Sequence, residues 1–163
     1  MTRKGMTDAR FEDADEGPLR LIAQGAEDLQ VIAALVQDAV FPITEMTFSR
    51  KQHRFALLLN RFRWEDRAAA EREGRPYERV RSLLVFENVL AVRSQGIVRD
   101  DKDTILSLLS IDFKPDAEGA GAVELVLAGD GAVQLQVEAL DVVLTDVSRP
   151  YRSNSGKMPG HGE

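Results

Sequence analysis

The 163-residue chain contains no cysteine. That excludes disulfides, thiol nucleophiles and every Cys-ligated metal or iron–sulfur centre. The absence also suits a reducing compartment, so a cytoplasmic location is expected. Histidine is nearly as scarce. His53 falls in a polar turn and His161 close to the last residue. Neither has the apolar surroundings that would orient an imidazole as a general base, and two isolated histidines do not make a zinc site. HExxH, nucleophile-elbow and glycine-rich phosphate-loop motifs are missing. Gly129-Asp130-Gly131 is not followed by a helix and reads as a hairpin turn. The acidic run 100–103 lacks the glycine and closing glutamate of a calcium loop. No apolar run approaches the roughly 20 residues of a membrane helix. Residues 1–18 lack the apolar stretch of a signal peptide, and Met6 is an alternative start. These absences lean against an enzyme and predict no cofactor, no metal and no membrane.

What is present is charge, unevenly placed. The net charge is −6. Residues 1–49 carry 4 basic and 9 acidic side chains, residues 50–99 carry 12 and 6, and residues 100–147 carry 2 and 11. A basic middle between acidic flanks either neutralises itself within one fold or attracts an anion, a charged partner or a second copy. Nucleic acid is not expected. The pI is about 5.0, and the central arginines are interleaved with Glu65, Asp66, Glu71, Glu73 and Glu78.

Residues 1–17, acidic and polar, predict a disordered N-terminal tail. Residues 18–148 form a single α+β domain, and 149–163 a flexible C-terminal tail. Within the domain, Leu29, Ile32, Ala33, Val36 and Val40 recur at helical spacing over 26–40. Phe41-Pro42 closes that helix, because proline disfavours helix in the residue before it. Strands follow over 43–49, 54–64, 78–97, 104–115 and the hairpin 122–139, with Asn88 marking a bulge or turn inside 78–97. No βαβ alternation occurs. The expectation is one N-terminal helix packed on a curved, mostly antiparallel sheet or partial barrel of about six or seven strands.

Residues 54–66, RFALLLNRFRWED, begin as a strand apolar on both faces and end in Asn60, Arg61, Arg63 and the only tryptophan, Trp64. Side chains alternate faces in a strand, so Arg61 and Arg63 continue the face of Phe55, Leu57 and Leu59, about 7 Å apart. Guanidinium forks suit carboxylates and phosphates. The pair either binds an anion, oriented by Asn60 or Trp64, or forms salt bridges to carboxylates on neighbouring strands such as Asp112, Glu124 or Glu138. Arg93, Ser94 and Gln95 before Gly96 repeat the pattern. An anion site requires Arg61, Arg63 and Arg93 to converge.

The strings LVQDAV, RFALLLNRFRWE, VLAVRSQGI, LSLLSIDF and VEALDVVLTDV together resemble a bacterial family catalogued as domain of unknown function 2948, over roughly residues 18–150. The resemblance implies a small cytoplasmic bacterial protein, and no activity, cofactor or catalytic residue carries over with it. Its pattern includes the Asn60–Trp64 and Arg93–Gly96 segments. The expected role is a non-catalytic accessory domain that binds a protein partner or itself. The alternative is a binder of a small anionic metabolite, or less readily an enzyme acting on one, through Asn60, Arg61, Arg63, Trp64, Arg93 and Gln95.

Overall fold

The computed structural model describes residues 17–98, 101–116, 118–153 and 158–159. All but Gly17 of the segment expected to be disordered, and residues 154–157 and 160–163 of the expected C-terminal tail, lie outside those residues.

Apolar side chains at alternate positions build the sheet. β4 (Arg54–Phe62) buries Phe55, Leu57 and Leu59. It pairs antiparallel with β5 (Glu78–Phe86) from Phe55↔Phe86 to Phe62↔Arg79. β5 also pairs with β10 (Val142–Asp146), which carries β1 (Arg20–Ala23) on its far side. On the other side of β4, β2 (Val40–Pro42) leads to β7 (Ile105–Pro115), β8 (Gly121–Leu127), β9 (Gly131–Val137) and finally β6 (Val89–Gln95). Two strands branch off this path. β3 (Met46–Ser49) pairs with β4, and β11 (Tyr151–Arg152) pairs with β5.

β7 carries the sheet from one half of the molecule to the other. Ile105, Leu106 and Ser107 pair with β2, whereas Leu108 onward pairs with β8, with a register shift between Leu108 and Ser110. A bulge of this kind bends a strand and increases its twist. The inner faces of the two halves then share one core, in which Leu57, Leu84, Phe86 and Leu144 lie in the same cluster as Leu108, Val123, Leu125 and Leu135. α1 (Ala26–Leu35) adds Leu29, Ile32 and, just past its end, Val36 to that core. The Gln30 side-chain amide donates to the Ile111 carbonyl at 3.0 Å, tying α1 to β7.

The expected fold is corrected in three ways: the described residues form eleven strands, two short helices and a sheet that does not close. The helix is shorter than its apolar spacing suggests, because Val40–Pro42 is drawn between β4 and β7 as a strand. Asp38 makes the turn with φ of 64°. The long run 78–97 divides at Asn88, also at positive φ, into β5 and β6. The residues after the 121–137 hairpin form β10, which pairs with β5 and β1. α2 (Arg67–Glu73) is the second helix, ended by Gly74 in the left-handed conformation. Tyr151↔Arg79 pairing brings β11 onto the sheet from the segment expected as a tail.

The sheet stays open between β3 and β6. Among the described residues, β3 pairs with no strand but β4, and β6 with none but β9. One end of this seam is fastened, where the Val89 amide donates to the His53 carbonyl at 2.8 Å. β6 therefore starts beside the turn that follows β3. Gly96, at φ of 70°, lets the end of β6 pass the β8–β9 turn, where a Cβ would sit 2.6 Å from the Asp130 carbonyl oxygen.

Candidate functional site

The inner face of β4 ends in Arg61, a fully buried arginine. Its guanidinium is enclosed by carboxylates of its own chain. Nη1 and Nη2 each donate to one Glu65 oxygen at 2.9 Å, a bidentate pair. Nη2 also donates to both Asp146 oxygens at 3.1 Å, and Nε donates to Ser82 Oγ at 3.1 Å. Ser82 Oγ in turn donates to Asp146 at 2.7 Å. β4, β5 and β10 are thus joined at one end by a single charged network. Burial by itself lowers the Arg61 pKa, but the hydrogen bonds and charges of Glu65 and Asp146 outweigh it and hold the group above its ordinary value.

Arg63 donates to Glu78 at 2.5 Å and lies 3.6 Å from Glu65. Trp64 packs edge-on against buried Phe62 at 4.7 Å and donates its indole N–H to the Gln37 carbonyl at 3.1 Å. Asp66 accepts a bidentate pair from Arg75 at 2.8 and 3.0 Å. Arg61 and Arg63 are therefore engaged by Glu65, Asp146 and Glu78, not by Asp112, Glu124 or Glu138.

A pH dependence follows from these pairs. Burial raises the Glu65 pKa, but the hydrogen bond and charge of Arg61, with Arg63 nearby, bring it below the ordinary 4.5. The Arg75 hydrogen bond leads in lowering Asp66 below 3.8. A carboxylate depressed in the folded state adds stability above its unfolded pKa and loses it as pH falls through the folded value. Urea midpoints measured across the acid range are expected to hold above about pH 5 and fall progressively below about pH 4.5. Glu65→Gln should flatten that fall, and an unchanged slope would contradict the assignment.

Asn60 points to the opposite face of β4. Its side-chain oxygen accepts from Arg79 Nε, and its amide donates to the Tyr151 hydroxyl. Arg79 also donates to the Asn60 carbonyl at 3.2 Å. Burial pushes the Arg79 pKa down, and Tyr151 and Asp38 oppose that at longer range. Arg81 and Tyr151 flank Asn60 along a shallow cavity of about 310 Å³. Arg93 and Gln95 lie elsewhere, on the exposed face of β6, where Arg93 shares a recess with Gln134 and Gln136. The structure brings Arg61 and Arg63 together and leaves Arg93 apart, five strands along the path from β4.

The open seam holds an apolar recess that sequence reasoning did not single out. Met46 and Phe48, two residues apart on β3, face Leu90, Ala91 and Val92 of β6 across a groove of about 490 Å³. Phe55 and Val133 line its floor with Ile43 at one end. Leu90 is 43% exposed. Among the described residues, the charged side chains lining the groove, Arg50 and Lys102, are both basic. Arg50 lies over the Phe48 ring at 5.9 Å, and neither forms an ion pair among the described residues. The alternation of Met46 and Phe48 was visible in the sequence, but it reads equally well as core.

Among the described residues, no three His, Asp or Glu side chains gather in a metal-holding arrangement, and no helix is long and apolar enough to cross a membrane. No curated protein and no solved structure matches the chain. One family model does, over residues 19–161, nearly the full length. The chain belongs to the family described as "Protein of unknown function (DUF2948)".

Proposed function

We propose that this chain is a non-catalytic interaction domain whose binding surface is the groove between β3 and β6. The groove itself carries the reading: two strands that pair with no further strand on that side among the described residues flank an apolar recess lined by Arg50 and Lys102. Unpaired sheet edges and exposed apolar patches are the usual places where proteins meet. The strand-end charges support the reading by elimination, since Arg61, Arg63 and Arg75 spend their donors on carboxylates of the same chain. In this reading Asn60, Arg61, Arg63 and Trp64 hold the end of β4, and Arg93 and Gln95 flank the bound partner from the outer face of β6.

Photo-crosslinking in the producing cells tests it. A benzoylphenylalanine at position 90 is expected to give one discrete product, identified by mass spectrometry as a partner protein or a second copy. The same group at position 22, an equally exposed site on β1, should give none. Equal or absent crosslinking at both positions would overturn the proposal.

A second reading rests on a different observation. Arg79, half-buried, donates to neutral oxygens of Asn60, and Asn60, Arg81 and Tyr151 line a cavity whose lining also includes Glu45. Such a cluster suits a small carboxylate or phosphate. Calorimetric titration with citrate and with inorganic phosphate is expected to give heat that Arg81→Ala removes, and no heat at millimolar ligand would end this reading.

A further inference from the structure

We infer that the cavity beside Tyr151 binds a small zwitterion, with its carboxylate on Arg81 and Tyr151, its ammonium on Glu45 and a short apolar chain between the two. The inference rests on the second reading above, of this cavity as an anion site, and names the ligand. Arg79 sets the polar end. A guanidinium carries only donors, so the Asn60 side-chain oxygen turns toward Arg79 and the Asn60 amide toward Tyr151. The Tyr151 oxygen accepts from that amide, which leaves its O–H to donate to a ligand. Arg81 stands directly across from Asn60 on β5 and lines the same cavity. Glu45 lines it from the other side of β4, since it precedes Met46, which pairs with Leu57. The backbones that carry Arg81 and Glu45 are thus two strand spacings apart, about 10 Å. Both side chains are exposed, and neither forms an ion pair among the described residues. Val40, Pro42 and Leu58 supply apolar lining. A cation and an anion that line one cavity without meeting are matched by a ligand carrying both charges in the reverse order. A second negative charge, as on phosphate or citrate, would face Glu45, so those anions bind more weakly than the zwitterion.

Calorimetric titration of the full chain with 6-aminohexanoate tests this. Three comparison ligands each lack one feature: hexanoate has no ammonium, hexylamine has no carboxylate, and leucine carries both charges on one carbon. 6-Aminohexanoate is expected to bind about tenfold or more tightly than any of the three. Glu45→Gln should erase its advantage over hexanoate, and Arg81→Ala its advantage over hexylamine. Glu45→Lys should reverse the choice, so that adipate, with a carboxylate at each end, binds more tightly than 6-aminohexanoate. An unchanged melting temperature in each variant separates a lost contact from a lost fold. Hexanoate or leucine as tight as 6-aminohexanoate, with citrate heat still removed by Arg81→Ala, would overturn the zwitterion and leave the anion site standing. A preference for 6-aminohexanoate that survives Glu45→Lys would do the same. No heat from any ligand, citrate and phosphate included, would remove the two together.

Discussion

Asp146→Ala is expected to lower the unfolding free energy by about 3–5 kcal/mol, the usual cost of removing one partner from a buried ion pair. Arg61 has no exposed surface and Asp146 is 7% exposed. Removing the aspartate leaves a guanidinium that cannot lose its proton, facing Glu65 alone on the side nearer solvent. It also strands Ser82, whose hydroxyl donates to Asp146. The reverse change, Arg61→Met, leaves the Asp146 carboxylate buried against Ser82 and should cost a similar amount. The pair changed together, Arg61→Met with Asp146→Leu, should recover most of the loss, because an apolar pair of similar volume removes the desolvation penalty along with the attraction. Urea unfolding of the three variants measures this. A single-variant loss below about 1 kcal/mol would place the network with ordinary surface pairs.

Phe86→Ala is expected to cost about 3–5 kcal/mol, the range for emptying a buried aromatic site. Phe86 is fully buried at the end of β5, cross-strand from Phe55 on one side and Val142 on the other. Its ring lies 6.3 Å from that of Phe55, tilted by 50°. β4, β5 and β10 cannot close on the void without breaking their shared register, so the cavity persists. Phe86→Leu keeps most of the volume and should cost less than about 1.5 kcal/mol. Equal losses for Ala and Leu in urea unfolding would mean that ring shape, not volume, decides at this position.

How much of this was legible in the sequence depended on the range of the interaction. β4 and the β8–β9 hairpin are written in alternation and turn chemistry, which are local. The fate of Arg61 is not local. The alternation put Arg61 on the inner face, but one of its two carboxylate partners is Asp146, 85 residues away on β10. The other, Glu65, sits on the turn that follows the strand. Carboxylates on predicted strands, Asp112, Glu124 and Glu138, looked equally eligible because register between distant strands cannot be read from one sequence. The strand count failed for a related reason. A three-residue strand such as Val40–Pro42 or a two-residue one such as Tyr151–Arg152 has too few residues to show a period, and exists because a neighbour's edge is there to receive it. The groove was hidden differently. Met46, Phe48 and Leu90 are apolar residues in strands, and only the unclosed sheet makes them a surface.

In the proposed reading the labour divides between two ends of the molecule, with Arg61 and its carboxylates holding the fold and the β3–β6 groove offered to a partner. The most direct measurement is the crosslink yield from position 90 beside the melting temperature, in Arg61→Met and in Arg50→Glu with Lys102→Glu. If the roles are separate, Arg61→Met lowers the melting temperature and keeps the crosslink at a temperature where it is folded. The groove variant keeps its melting temperature and loses the crosslink. A crosslink lost in folded Arg61→Met, or undiminished in the groove variant, would contradict that division.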